Sequence, residues 1–349
     1  MLKDCKDNIH SCSKCGLCQS VCPVYKITGN DCTVSRGLFI MLKGFLNGKV
    51  KMSSKLNKYL DMCLKCGACT KFCPSEIDVV DIVSLAKAEY FKTHLGEKLI
   101  SFIQKIVLNF NLALLSLPFF NVKSQKYTKK VLYFGGCKAT KKSKKSVIKF
   151  LNACNIEVLI PNFNCCGMPF YIRGDMDNFK KYMEKFHNIL EKEGITEIVT
   201  SCATCEKMLN TYKKYSQQKE FSVKNIYEYI KENNISLSIN KKTKVTYHKP
   251  CNLNNMGDVD WILNNIANLE YIPSDEFDEC CGFGGIGNFK ELKNILKITA
   301  NKRKNLTKTG AKIVLTSCAG CELALKLFSF GKYRVYDMTE YLADNAMLK

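Results

Sequence analysis

Residues 12–23 read CSKCGLCQSVCP, and residues 63–74 read CLKCGACTKFCP. Each is C-x-x-C-x-x-C-x-x-x-C-P, the spacing that wraps cubane iron–sulfur clusters, and two copies in one domain exchange their fourth ligand. The spacing therefore groups Cys12, Cys15, Cys18 and Cys73 at one [4Fe–4S] site, and Cys63, Cys66, Cys69 and Cys22 at the other. One turn of backbone presents the first three thiolates, and the trailing Pro23 and Pro74 are expected to keep the fourth strap from continuing into a helix. Zinc is the alternative, but zinc sites use paired C-x-x-C rather than full quartets with trailing prolines.

Forty residues separate Cys22 from Cys63, too many for a compact two-cluster ferredoxin. Val34 to Asn47 and Ser54 to Met62 read as helices, and Asp78 to His94 continues the pattern with a stripe of Val79, Ile82, Val83, Leu85 and Ala86. Residues 1–95 thus read as an all-helical dicluster domain. Leu99 to Phe120 is the most apolar stretch, but Gln104, Lys105, Asn109 and Asn111 interrupt it and Pro118 closes it, so it falls short of a spanning helix. Phe102, Ile106, Phe110 and Leu114 share a helix face suited to docking on the protein's own domains or, less favoured, to a membrane surface. Val122 to Lys130 reads as a basic linker, so residues 96–130 form a connecting segment.

The rest is an internal duplication, residues 131–240 and 241–349. Cys137 recurs as Cys251, Cys165-Cys166-Gly167 as Cys280-Cys281-Gly282, and Cys202 and Cys205 as Cys318 and Cys321. The flanks match too: Ile198-Val199-Thr200-Ser201 precedes Cys202 as Val314-Leu315-Thr316-Ser317 precedes Cys318. In the first copy Val131 to Phe134, Ile156 to Ile160 and Glu197 to Thr200 read as strands, and Lys141 to Ala153 and Asp175 to Lys192 as helices. Such alternation implies a parallel sheet with helical crossovers. The fold class is α+β and multidomain: a helical dicluster domain followed by two α/β cysteine-rich domains.

In open parallel sheets ligands gather beyond the carboxyl ends of the strands, where these cysteines lie. Cys137, Cys165, Cys166, Cys202 and Cys205, and in the second copy Cys251, Cys280, Cys281, Cys318 and Cys321, are the candidate ligands of further iron–sulfur centres. Cys202 opens a helix whose N-terminus is expected to favour thiolate. The glycine after each vicinal pair lets the backbone bend so that neighbouring thiols reach one centre. Gly282, Gly284 and Gly287 spell G-x-G-x-x-G, but Asp275 to Cys281 before them is an acidic loop, not an apolar strand. No other pattern for flavin, nicotinamide or nucleotide is found, nor an acid–base pair marking an autonomous catalytic centre. His248 is read as a histidine satisfied at a strand end rather than a ligand, and Cys5, Cys32 and Cys154 as packing or incidental thiols.

At 349 residues and 46% hydrophobic content the chain has room for several cores. Twenty-one cysteines behind a start, MLKDCKDNIH, without an apolar signal region fit metal-bound thiolates in a reducing cytoplasm. The formal charge of +21 overstates the basicity, because each loaded cubane adds about −2. Almost all of the positive charge is lysine, with arginine only at 36, 173, 303 and 334, which speaks against nucleic-acid binding. An acidic partner or an anionic membrane surface suits it better.

Two ladders followed by two CCG repeats resemble, over nearly the whole chain, the iron–sulfur subunits of glycolate oxidase and of anaerobic glycerol-3-phosphate dehydrogenase, and the heterodisulfide reductases. Cys22-Pro23-Val24-Tyr25, Ser35-Arg36-Gly37 and Cys73-Pro74-Ser75 look most like the glycolate oxidase group. The resemblance implies an electron-transfer subunit that is not catalytic alone. An FAD-containing partner would oxidise the hydroxy substrate, and electrons would pass towards quinone at the inner face of the cytoplasmic membrane. In heterodisulfide reductases the CCG cysteines instead hold non-cubane clusters that cleave a disulfide, and both repeats here keep all five cysteines. A colourless zinc scaffold is the third reading.

Overall fold

A computed structural model describes residues 1–115, 129–137, 141–163, 165–216, 220–275, 279–284 and 292–348. Its contacts divide the chain into two compact units. The first comprises Met1–Gln104, Pro169–Phe179 and Glu279–Arg303; the second comprises Lys105–Met168, Lys180–Asp278 and Lys304–Lys349.

No strand precedes residue 129 among the described residues. Helices Ser35–Leu46, Ser54–Met62 and Val79–Thr93 bury Leu38, Phe39, Leu42, Leu56, Leu60, Val83 and Ala86. Ser53 and Asp78 cap two of these helices by accepting from the backbone N–H groups of Leu56 and Asp81. Residues 169–179 belong to the same unit. Gly174, at φ +87°, lies so close to helix Val79–Thr93 that a Cβ there would sit 2.5 Å from Ala88 N.

Helix Leu95–Leu115 turns the expected polarity around. Among its described side chains the buried ones are Glu97, Ser101 and Gln104: Arg173 donates to Glu97 at 3.0 Å and to Gln104 at 3.1 Å, and Ser101 donates to Asp175. Phe102 and Ile106 are 60% and 53% exposed, so these two members of the stripe stay largely uncovered. Buried hydrogen-bond partners fix which face turns inward, and apolar periodicity carries no record of them. The side chains of Phe110 and Leu114 lie outside the described residues, as do 122–128 of the expected linker and Gly287. Lys129 and Lys130 begin a strand instead of ending that linker.

The second unit holds two sheets of the same order. Strands β1 (Lys129–Phe134), β2 (Ile156–Leu159), β3 (Glu197–Thr200) and β4 (Ser222–Asn225) form a parallel sheet ordered β2-β1-β3-β4. Strands β5 (Leu237–Tyr247), β6 (Ala267–Tyr271), β7 (Ile313–Thr316) and β8 (Arg334–Asp337) repeat it as β6-β5-β7-β8, with β9 (Ala346–Leu348) antiparallel on β5. The apolar run of β1 is buried on both faces, as crossover helices require. Val131, Tyr133 and Val199 of one sheet share a core with Val245, Tyr247 and Leu315 of the other.

Candidate metal centres

Both ladders fold by the same backbone device. Lys14 (φ 61°) and Gly16 (φ 87°) in the first loop, and Lys65 (φ 55°) and Gly67 (φ 73°) in the second, take the left-handed conformation at matching positions. Two such reversals curl C-x-x-C-x-x-C around a point. Cys12, Cys15, Cys18 and Cys73 line one cavity, which Cys69 also borders, and Cys22, Cys63, Cys66 and Cys69 line another. Each fourth thiol thus sits with the triplet of the other ladder. Four thiols about a cavity are a donor set suited to a cubane. Burial, with Cys66 and Cys63 adding to it, pushes the Cys22 thiol up to about 12, and burial raises Cys69 as well. A metal must displace the protons that burial keeps on Cys22 and Cys69.

Pro23 departs from expectation. It occupies the first position of helix Pro23–Thr28, where its missing N–H has no partner to lose and its fixed φ suits the helix. Beside the second ladder, buried Lys65 donates to the carbonyl oxygens of Leu60 (2.9 Å) and Cys63 (3.0 Å), holding the loop and placing positive charge next to its thiols. Burial pushes this ammonium down to about 8.

In the second unit Cys137, Cys165, Cys166, Cys202 and Cys205 come together from three strand ends. Gly136 (φ 79°) in the loop after β1 lies so near the C-x-x-C turn that a Cβ would meet Cys205 Sγ at 3.0 Å. Cys165 feels Cys166 and Cys137, and Cys166 shares a hydrogen bond with Cys205. Cys202 stands at the N-cap position of helix Ala203–Tyr215 and makes no side-chain capping bond. Gly167 (φ 71°) turns its N–H towards Cys165 Sγ at 3.4 Å. In the first unit, buried Cys280 and Cys281 show the same arrangement: Gly282 (φ 84°) directs its N–H to Cys280 Sγ at 3.4 Å.

The two C-x-x-C turns also meet each other, a relationship that spacing within one copy does not carry. Cys202 shares a hydrogen bond with Cys318, and Cys318 with Cys321. Ala203 N–H donates to Ser317 O at 2.9 Å, and Thr204 Oγ1 lies 3.1 Å from Cys318 Sγ. Hydrogen bonds from Cys202 and Cys321 hold Cys318 well below its ordinary value. A hydrogen bond to Cys205 lowers Cys166. Cys202 and Cys205 stand well above theirs, the latter because it donates to Cys166 and Cys202. At Cys202 the hydrogen bonds from Cys205, side chain and helix backbone N–H, favour thiolate, while the bond to Cys318 and burial carry the thiol above its ordinary value.

Behind the thiols lie partners whose signal, a tyrosine on the first strand and a serine before each C-x-x-C, repeats in both copies. Tyr133 OH is 2.9 Å from Ser201 Oγ, Tyr247 OH is 2.7 Å from Ser317 Oγ, and Tyr212 OH donates to Cys166 O at 2.9 Å. Glu206, which follows Cys205, accepts from Asn254 (2.7 Å) and Asn225 (3.0 Å). His248 is fully buried after β5, with its backbone N–H bonded to Leu315 O at 2.8 Å. Cys154 packs against the shared core, and Cys5 and Cys32 are half-buried.

Sequence comparison gives the class: a 4Fe–4S dicluster domain matches residues 8–77, and a cysteine-rich domain matches residues 131–210 and again 245–326. The chain thus carries one match to a 4Fe–4S dicluster domain followed by two matches to a cysteine-rich domain. It is 29% identical to an uncharacterized iron–sulfur protein of Methanocaldococcus jannaschii, over 91% of this chain and 68% of that one. It is similar to a probable glycolate oxidase iron–sulfur subunit of Bacillus subtilis (22% identity; 91% of this chain and 88% of the relative). One of the subunits of the dihydromethanophenazine:CoB–CoM heterodisulfide reductase of Methanosarcina mazei matches at 24% identity (90% of this chain and 87% of the relative). Named relatives are thus components of multi-subunit oxidoreductases. No helix among the described residues is long and apolar enough to cross a membrane.

Proposed function

We propose that this chain is the electron-carrying subunit of a flavin-dependent dehydrogenase acting on a 2-hydroxy acid of the glycolate or lactate type, or on glycerol 3-phosphate. The observation that carries the reading is the gathering of thiols at separate places, two quartets in the helical unit and a larger set where the C-x-x-C turns meet. Clusters at such sites supply one-electron carriers whose potential the surrounding protein adjusts. Cys12, Cys15, Cys18 and Cys73 would hold one cubane and Cys63, Cys66, Cys69 and Cys22 the other. Cys137, Cys165, Cys166, Cys202 and Cys205, with Cys251, Cys280, Cys281, Cys318 and Cys321, would hold the CCG centres. The remaining residues position them: Lys65 neutralises charge beside one quartet, and the Tyr–Ser pairs pin the C-x-x-C turns in dry surroundings.

An FAD-bearing partner delivers the electrons, and quinone receives them at the cytoplasmic face of a membrane. The outward Leu99, Phe102, Ile103 and Ile106 on a lysine-rich chain support contact with anionic lipid.

The contact of Cys202 with Cys318 favours a second reading, direct reduction of a disulfide as the heterodisulfide reductase relative's name describes. Oxygen-free purification with iron and sulfide counts and electron paramagnetic resonance (EPR) tests the cluster content. The protein is expected to be inert towards disulfides and to accept electrons once mixed with its flavoprotein; turnover of a thiol–disulfide without a flavoprotein establishes the second reading.

A further inference from the structure

The two C-x-x-C turns are not equivalent. The first reads Cys202-Ala203-Thr204-Cys205 and the second Cys318-Ala319-Gly320-Cys321, so a hydroxyl stands in one copy where the other has none. Thr204 Oγ1 does not serve its own copy: it lies 3.1 Å from Cys318 Sγ of the second. A thiolate bound to iron has no proton to give, so towards a ligating Cys318 the Thr204 hydroxyl can only donate, while Asn252 donates Nδ2–H to the same oxygen at 3.2 Å. The sulfur end of this bond is buried and Thr204 is half-buried, so the bond is partly withdrawn from water. Gly320 returns nothing to the first copy.

We infer that Thr204 is a positioning residue that makes the two CCG centres electronically unequal, by donating a hydrogen bond from the first repeat to a sulfur ligand of the second. The inference rests on the iron–sulfur reading of these cysteines. A hydrogen bond to a ligand sulfur stabilises the more negative, reduced state and raises the potential of that centre. The Cys318 centre becomes the lower-energy seat for an electron, which gives transfer between the repeats a direction.

The test is an EPR-monitored redox titration of the full chain, purified without oxygen and reconstituted with iron and sulfide. Thr204→Val keeps the shape and removes the hydroxyl. It is expected to make one CCG centre about tenfold harder to reduce, about 59 mV for a one-electron couple, while the N-terminal cubanes keep their midpoints. Thr204→Ser is expected to retain the parent value. Asn252→Leu, which leaves the Thr204 hydroxyl in place but removes the bond that Asn252 donates to it, is expected to shift the same centre and no other. An unchanged midpoint in Thr204→Val at full iron and sulfide content overturns the inference and leaves the cluster reading intact. If Thr204→Val loses its cluster, the Asn252→Leu midpoint decides alone, and no shift there overturns the inference. Parent protein without iron and sulfide beyond the two cubanes overturns the inference and the CCG cluster reading together.

Discussion

The phenolic hydroxyl of Tyr247 lies 2.7 Å from Ser317 Oγ, and Tyr133 stands in the same relation to Ser201 at 2.9 Å. Both tyrosines are buried, and each joins the first strand of its sheet to the residue before a C-x-x-C turn. Tyr247→Phe leaves the Ser317 hydroxyl without this partner and is expected to destabilise the protein by about 1–3 kcal/mol. Adding Ser317→Ala is expected to recover part of the loss, because both polar groups are then gone. Urea unfolding midpoints measure both; equal stability of Tyr247→Phe and the parent rules the bond out as a support of the turn.

In the helical unit Lys87 and Asp61 form a buried ion pair, and Asn57 Nδ2 donates to the other carboxylate oxygen at 3.0 Å. Lys87→Met strands a buried charge and is expected to lower stability by about 3–5 kcal/mol. The double variant Lys87→Met/Asp61→Leu is expected to regain most of it. Thermal unfolding of the three proteins reads the difference, and additive losses contradict the pairing.

The placement of Cys22 with Cys63, Cys66 and Cys69 makes a test of ligand exchange. Cys22→Ala is expected to remove about four iron atoms, and adding Cys63→Ala to remove no more, since both thiols serve one site. Cys22→Ala with Cys12→Ala is expected to abolish both cubane signals. The reverse pattern of iron counts would mean that each ladder keeps its own fourth ligand.

Asp337 caps helix Met338–Asn345, accepting from Thr339 N at 2.9 Å and Glu340 N at 3.2 Å. Burial pushes its carboxyl up to about 7, against those backbone bonds and with the nearby Glu322 and Glu340 adding to the rise. Tyr133, Tyr227 and Tyr247 also face it, and each stays protonated. The unfolded value is about 3.9, so the native state holds the proton longer, and stability from this group falls as pH rises from about 4 to about 7. Asp337→Asn keeps the cap and is expected to flatten that slope. Unfolding midpoints at pH 5 and pH 8 compare the two proteins; parallel slopes refute the assignment.

The order of a 4Fe–4S dicluster domain followed by two cysteine-rich repeats was legible in the sequence. Cysteine spacing is a local property, so the ladders and the CCG repeats were legible, as were helix Ser54–Met62 and strands β1 and β3, whose apolar runs carry their own burial. Short β4, reading Ser222-Val223-Lys224-Asn225, and β9 were not, because an edge strand takes its identity from the strand it pairs with. Tertiary structure alone decided that Leu95–Leu115 faces inward with Glu97, Ser101 and Gln104, since only the position of Arg173 and Asp175 makes that face the better one to bury. It also decided that the C-x-x-C turns of the two repeats adjoin, with Thr204 of one against Cys318 of the other. Contacts between residues more than a hundred positions apart depend on how two sheets share one core, and no local pattern encodes that.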